Sequence, residues 1–328
     1  MNEGSNNPKV SVCVITYNHE KYIHQCLQSI VNQKTDFNFE VIVGEDCSTD
    51  RTPLIVREFS ERYPGIVKPI FQKENINLGC NNYRITHRAA IGEYIAHIDG
   101  DDVMLPGKLQ AQCDFLDANP RCSMVAHKTK LLVEDLVMPD PNSSRDHPQF
   151  SDLYRLLRLH TFFRHSSKMY RRCANSAQSC IDDPLFIDFG LHIEHASWGP
   201  IGFLNEPYVL YRRSPNSHTQ SSGERLYLLI DQTLDAYLIA GKHGVDRNLI
   251  GKLYSSYAFK SALFCLERND IVGFRRYVDR SIGDSVALPS TLHKYFDALM
   301  AVPGLPFMVA RAVNTARAAM RYLSNFIY

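Results

Sequence analysis

The chain carries almost no net charge. Its 36 lysines and arginines stand against 35 aspartates and glutamates, a formal +1 at pH 7. No global field draws it to nucleic acid, and any anion it binds must be met locally. No apolar run approaches the ~20 residues of a membrane-crossing helix. The longest uncharged stretch, 298–310, is interrupted by Pro303, Gly304 and Pro306. Internal repeats and low-complexity segments are absent, which excludes repeat architectures. The nine cysteines, at 13, 26, 47, 80, 113, 122, 173, 180 and 265, include no CxxC pair, and nine is odd. With no signal-like N-terminus, they read as reduced thiols of a cytoplasmic protein.

What is present is a soluble globular composition long enough for one large domain or two ordinary ones. The first third alternates two periodicities. Val10-Ser-Val-Cys-Val-Ile15, Glu40-Val-Ile-Val43, Val67 to Phe71 and Tyr94-Ile-Ala-His-Ile98 are short apolar runs, as buried parallel strands require. Between them lie helical patterns. Ile23, Cys26, Leu27, Ile30 and Val31 share one face. Thr52-Pro53 opens a second helix, Arg84 to Ala90 forms a third, and Lys108 to Asp117 a fourth. This order predicts right-handed crossovers and a mainly parallel α/β sheet covered on both faces. From about Leu131 to Phe150 prolines, serines and asparagine predict a loop. Mixed structure resumes up to Ser222, and the rest reads as helical. We therefore expect a catalytic domain over 1–222 and a helical region over 223–328.

In such sheets ligands sit beyond the carboxyl ends of the strands. Polar residues cluster there: Thr16-Tyr17-Asn18 after the first strand, Glu45-Asp46-Cys47-Ser48-Thr49-Asp50 after the second, and Asp99-Gly100-Asp101-Asp102 after the fourth. Four aspartates on one rim, at 46, 99, 101 and 102, repel one another unless a cation offsets them. Hard oxygen ligands suit Mg²⁺ or Mn²⁺ completed by phosphate oxygens. The plainer alternative is an acidic turn capping a helix. The direct junction with a buried strand and the second acidic loop favour the metal.

These segments, with Asn77-Leu-Gly79, Gly92 to Asp102, His165-Ser-Ser-Lys-Met-Tyr-Arg171, Asp188, Gly199-Pro-Ile-Gly-Phe-Leu204 and Tyr211-Arg212, occur in one order over roughly residues 8 to 220. In that order they resemble a family 2 glycosyltransferase of the GT-A type, inverting and of the kind that builds bacterial surface glycans. The resemblance implies a Rossmann-like GT-A sheet with a C-terminal helical extension and a nucleotide-sugar donor, UDP- or dTDP-linked. It implies donor contacts from Thr16, Tyr17, Asn18, Glu45, Asp46, Asp99, Gly100, Asp101 and Arg212. Tyr17 would stack on the base and Asp46 accept its imide N–H. Asp101, with Asp99 and His218, would hold the metal. His165 and Ser166 would line the acceptor side, and Asp188 would be the catalytic base. Arg212, Arg213 and His218 would close over the diphosphate. The family commonly has two aspartates where Glu45-Asp46 stands and glycine where Cys47 stands.

Each residue also has a plainer reading. Tyr17 and His165 suit core positions, Asp46 an Asx turn, and Arg212 to His218 a solvated basic turn. Asp182, Asp183 and Glu194 are rivals to Asp188. A sugar nucleotidyltransferase shares a similar fold but carries a glycine- and lysine-rich loop where this chain has Thr16 to Lys21. A non-catalytic nucleotide-sugar binding module would show damage at the acidic residues, and none is evident. The expected partners are the nucleotide-sugar donor and a glycan or lipid-linked acceptor, with no nucleic acid; a homo-oligomer is compatible. From Ala298 to Tyr328 there are three arginines, no acidic residue and one apolar helical face. That face suits packing on the core or on a partner, or peripheral contact with the inner face of the cell membrane.

Overall fold

The computed structural model describes residues 7–75, 80–143, 145–172, 187–213 and 223–282. The chain divides into two compact units, Met1–Gln220 and Ser221–Tyr328. In the first, the order is β1 (Val10–Thr16), α1 (Ile23–Val31), β2 (Phe39–Glu45), α2 (Thr52–Arg62), β3 (Val67–Phe71), α3 (Cys80–Arg88) and β4 (Tyr94–Asp99). There follow β5 (Val103–Met104), α4 (Lys108–Ala118), β6 (Met124–Val133), β7 (Leu136–Pro139), β8 (Phe150–Ser151), α5 (Leu153–Leu159), β9 (Met169–Arg171), α6 (Asp188–Ser197) and β10 (Ile201–Arg212).

The main path of the sheet runs β3-β2-β1-β4-β9-β6-β10-β5. Strands β3, β2, β1 and β4 are parallel, as the alternating pattern requires. The chain moves outward from β1 to β3 and then returns to the other side of β1. This reversal makes the carboxyl ends of β1 and β4 a topological switch point, where a crevice opens. Register places Ile15 opposite both Gly44 and Asp99, and Thr16 opposite Glu45. The three polar loops therefore leave the sheet at one level. Val12, Val14, Val41, Val43, Ala96 and Ile98 form the core with Ile23, Leu27 and Ile30 of α1.

Some boundaries differ from the sequence reading. Helix α3 begins at Cys80 rather than Arg84 and ends at Arg88. At α2 Thr52 is the first helical residue rather than the cap: Arg51 holds the N-cap position without a side-chain bond, Asp50 Oδ1 accepts the Thr52 N–H (2.9 Å), and the Thr52 hydroxyl accepts from His19 N (2.9 Å). The larger correction is β6, which occupies 124–133, running into the segment read as a loop. Its apolar pattern is masked by buried polar residues that find partners only in the fold. Thr129 donates its hydroxyl to Asp140 (2.6 Å), and Asp140 takes both arms of a fork from Arg164 (2.8 and 2.9 Å). Burial alone would raise the Asp140 carboxyl. The bonds from Arg164 and Thr129 outweigh it and hold the group below its usual range. This pair also anchors the turn at His165–Ser167, one residue beyond Arg164.

In the second unit α7 (Glu224–Ile239), α8 (Arg247–Glu267) and α9 (Ile271–Ile282) pack through Leu234, Ala258, Ala262, Phe274 and Tyr277. Asp246 caps α8 by accepting the Leu249 N–H (3.0 Å). Asp231 on α7 receives Arg276 and Arg280 of α9. Among the described residues no helix is long and apolar enough to cross a membrane. The apolar face expected over 298–328 lies outside the described residues, as do Cys173 and Cys180. The seven described cysteines are free thiols.

Candidate active site

The first two loops are laced together before any ligand is considered. Asp46 N donates to Thr16 O (3.1 Å). Asn18 takes a left-handed conformation, φ 53°, its Oδ1 accepting Thr49 N (2.9 Å) and its own N–H donating to Ser48 Oγ (2.9 Å). Glu45 Oε1 accepts Ser48 N (2.9 Å). Cys47 is also left-handed, φ 57°, a conformation in which glycine costs least. Asn18 and Glu45, expected at the donor, are thus committed to holding the loops. The buried Thr16 shapes the strand end. What faces outward is Tyr17, 39% exposed. Asp46 is 4% exposed. Its Oδ2 accepts from Asn75 (2.9 Å), and its Oδ1 has no hydrogen-bond partner among the described residues. Burial first, and the Glu45 charge second, raise its pKa. An orphaned carboxylate oxygen at a strand end is a place for a ligand N–H.

The acidic turn is gripped from two sides. Gly100 N donates to Ile15 O (2.9 Å). A Cβ at Gly100 would stand 2.8 Å from Thr16 Cβ and Oγ1 and 3.0 Å from Ile15 O. Glycine is therefore required by close approach rather than by a ligand. Gly100→Ala is expected to cost about 1–3 kcal/mol by overpacking, read as a lower unfolding midpoint. An unchanged midpoint would contradict the contact. Asp102 is fully buried, and its Oδ1 accepts the Arg212 N–H (2.8 Å). Burial, then the charges of Asp101 and Asp99, push its carboxyl well above the usual range. Arg212 donates Nε to Asp101 O (2.7 Å) and Nη2 to Gln25 Oε1 (2.6 Å), and lies 4.5 Å from the Tyr22 ring centroid. Its backbone N and Nε hold the acidic turn and its Nη2 holds α1, a different task from the expected grip on phosphate. His218 lies outside the described residues.

Asp99 is held at both oxygens, Oδ1 by His97 Nε2 (3.1 Å) and Oδ2 by the Ser166 hydroxyl (3.3 Å). Burial would raise its carboxyl; the bond and charge of His97 reverse that and lower it. Ser166, expected on the acceptor side, is fully buried and clamps Asp99 instead. Asp101 sits between, raised by burial and by the Asp99 charge, the nearby His19 opposing. It makes no salt bridge among the described residues.

Asp188 opens α6, so a backbone turn rather than a side chain aims it. Its side chain is 60% exposed, and His165 Nδ1 lies 3.6 Å from its Oδ1. The protein around it nevertheless thins its solvation. That desolvation, with the Asp99 charge, raises its pKa to about 6 against the opposing charge of Lys168. His165 is nearly buried, 4.1 Å from His97 between ring centroids and 3.3 Å (Nδ1 to Nε2) from His192. Glu194 is buried within α6 and is no rival at the surface. Asp182 and Asp183 lie outside the described residues. Sequence reasoning missed the buried ring cluster behind these carboxylates: Tyr83, His87, His97, Tyr170, His192 and His195. The one signal for it was His97, a polar residue inside the apolar run Tyr94 to Ile98.

A sequence profile described as Glycosyl transferase family 2 matches residues 11–176, half of the chain, including β1, both acidic loops and the His165 turn. The chain belongs to glycosyl transferase family 2. An uncharacterized protein of Mycobacterium tuberculosis is 35% identical over 213 residues, 62% of this chain and 58% of that protein. The chain thus spans little more than half the length of that relative. Among solved structures, Staphylococcus aureus TarS with UDP-GlcNAc aligns with TM-score 0.54 at 20% identity, covering 83% of this chain and 90% of that one. A mannosyltransferase of Pyrobaculum calidifontis with GDP-Man and Mn²⁺ aligns with TM-score 0.53 at 18% identity, covering 94% and 86%. Both share the GT-A fold with this family 2 chain.

Among the described residues no three His, Cys, Asp or Glu side chains converge on a cation position. The donor set still suits one kind of ion. Asp99 and Asp101 offer only hard oxygens, and Mg²⁺ or Mn²⁺ is often held by one or two carboxylates with phosphate and water completing the shell. The residues fit a cation arriving with a diphosphate rather than a closed protein cage.

Proposed function

We propose that this chain is an inverting glycosyltransferase that moves a sugar from a UDP- or dTDP-linked donor to an acceptor hydroxyl. The observation that carries the reading is the joint placement of Asp188 and the acidic turn. Asp188 lies against His165, the His165 ring packs on that of His97, and His97 holds Asp99. Donor and base are therefore within reach of one sugar ring. Tyr17 supplies an exposed face for the base, and Asp46 Oδ1 supplies an acceptor for its N–H. Asp99 and Asp101 would hold the divalent cation, which neutralises charge on the diphosphate. Asp188 takes the proton of the acceptor hydroxyl as its oxygen bonds to the anomeric carbon and the bond to the diphosphate breaks. Entry from the face opposite the leaving group inverts the anomeric configuration.

The UDP-GlcNAc and GDP-Man bound to the two structural neighbours support a nucleotide-sugar donor, and the Mn²⁺ of the second supports the cation. The setting we propose is bacterial polysaccharide or lipid-linked glycan synthesis at the inner face of the cell membrane, carried from the family resemblance. Calorimetry with UDP-, dTDP- and GDP-sugars, each with and without Mn²⁺, tests donor and cation together. We expect tight binding of one donor only with Mn²⁺, and Asp101→Asn is expected to abolish the Mn²⁺-dependent part while leaving the fold intact. Unchanged affinity in that variant would remove Asp101 from the cation site. A product retaining the donor's anomeric configuration would refute inversion.

A further inference from the structure

A row of hydrogen bonds runs from the acidic turn into the interior. His97 Nε2 is 3.1 Å from Asp99 Oδ1, His97 Nδ1 is 3.0 Å from His87 Nε2, and His87 Nδ1 is 2.7 Å from the Tyr170 hydroxyl. His97, His87 and Tyr170 are 0%, 5% and 1% exposed, so the three bonds have little water to compete with them.

With both imidazoles neutral, one proton arrangement satisfies every link. An ionised Asp99 only accepts, so His97 carries its proton on Nε2. Its Nδ1 must then accept, so His87 donates from Nε2. His87 Nδ1 in turn accepts, and Tyr170 O–H donates to it. All three donors point toward the carboxylate. A second proton on His97 would reverse the rest of the row, His87 accepting on Nε2 and Tyr170 accepting from His87 Nδ1. Aligned bonds in a dry interior polarise one another and fix each group's orientation. Ser166 holds the other oxygen of Asp99, so the carboxylate plane is defined from both sides.

We propose that Tyr170, His87 and His97 are positioning residues that fix Asp99 for a divalent cation entering with the nucleoside diphosphate. This rests on the reading of Asp99 and Asp101 as cation ligands. Groups behind a metal-binding side chain set its aim and basicity, and their loss typically costs about 10–100-fold in metal affinity.

The test has two readouts on the full chain, neither of them activity. The first is ¹⁵N–¹H correlation of ¹⁵N-histidine-labelled protein near neutral pH, assigned with His87→Gln and His97→Gln. Neutral rings protonated on Nε2 are expected at both positions, and an Nδ1–H tautomer or an imidazolium at either overturns the row. The second is Mn²⁺ affinity in the presence of UDP or dTDP, measured by electron paramagnetic resonance. His97→Ala is expected to weaken it about 10–100-fold. His97→Gln, whose amide can reach Asp99 in place of Nε2, should recover most of the loss, and Tyr170→Phe should weaken it by a smaller factor. If His97→Ala fails to fold, the other two variants carry the comparison. Equal affinity in wild type and every folded variant overturns the positioning role alone. Wild-type protein that takes up no Mn²⁺ with either nucleotide overturns the cation reading, and this proposal with it.

Discussion

Asp188→Asn is expected to bind the donor as the wild type does and to turn over about 10²–10⁴-fold more slowly, the usual cost of losing a general base. The substitution keeps shape and volume at a side chain that is 60% exposed, so the fold has little to lose. The donor loops after β1, β2 and β4 are held by their own lacing and by Arg212, none of which passes through Asp188. The loss should therefore appear in kcat and leave donor affinity unchanged. A pH signature accompanies it. Desolvation and the Asp99 charge raise the Asp188 pKa to about 6, and a base works only when ionised. Wild-type kcat/KM should rise through about pH 6 to a plateau, and the residual activity of the variant should lack that limb. A variant turning over near the wild-type rate would move the role to Asp182 or Asp183.

The second large effect is steep loss of stability in mild acid. His87, His127, His165, His192 and His195 are buried, and burial first of all pulls each pKa well below the ordinary 6.5. The unfolded chain protonates these rings as pH falls through 6.5, and the folded chain does not. The stability they confer is whole above that pH and drains below it. A ring that stays neutral in the fold contributes a slope of about 1.4 kcal/mol per pH unit below that point. A whole domain holds only about 5–15 kcal/mol. The raised carboxyls of Asp46, Asp101, Asp102 and Asp188 act in the opposite sense, because the folded form binds their protons first, and they offset part of that loss. Denaturant midpoints followed by circular dichroism should fall as pH drops below about 6.5, and His195→Phe should flatten that dependence. Stability that is flat from pH 7 to 4.5 would show that these rings are hydrated rather than buried.

The parallel half of the sheet was legible because its information is local. Val10 to Ile15, Glu40 to Val43 and Tyr94 to Ile98 are mostly apolar, the mark of strands buried on both faces. The stripe from Ile23 to Val31 has one periodicity and one solution. The short strand-to-helix connections limited the topology, and topology alone brings Thr16, Asp46 and Asp99 to one edge. The sequence by itself thus determined that half of the fold, the location of the crevice and the family. What each polar residue does there was decided only by the tertiary structure. Asn18, Ser166 and Arg212 carry the same chemistry as ligand-binding groups, but each is engaged by a partner distant in the chain, Arg212 meeting Asp101 and Gln25 across 111 and 187 residues. Strand β6 was obscured for the same reason, since Thr129 and His127 read as surface residues until Asp140 and the covering layers are in place. The row from Tyr170 to Asp99 spans β9, α3 and β4, three segments whose spacing in sequence carries no sign that they meet. Periodicity records which side of an element is buried, because burial acts on one residue at a time. Hydrogen bonds act on pairs, and only the folded chain brings the pairs together.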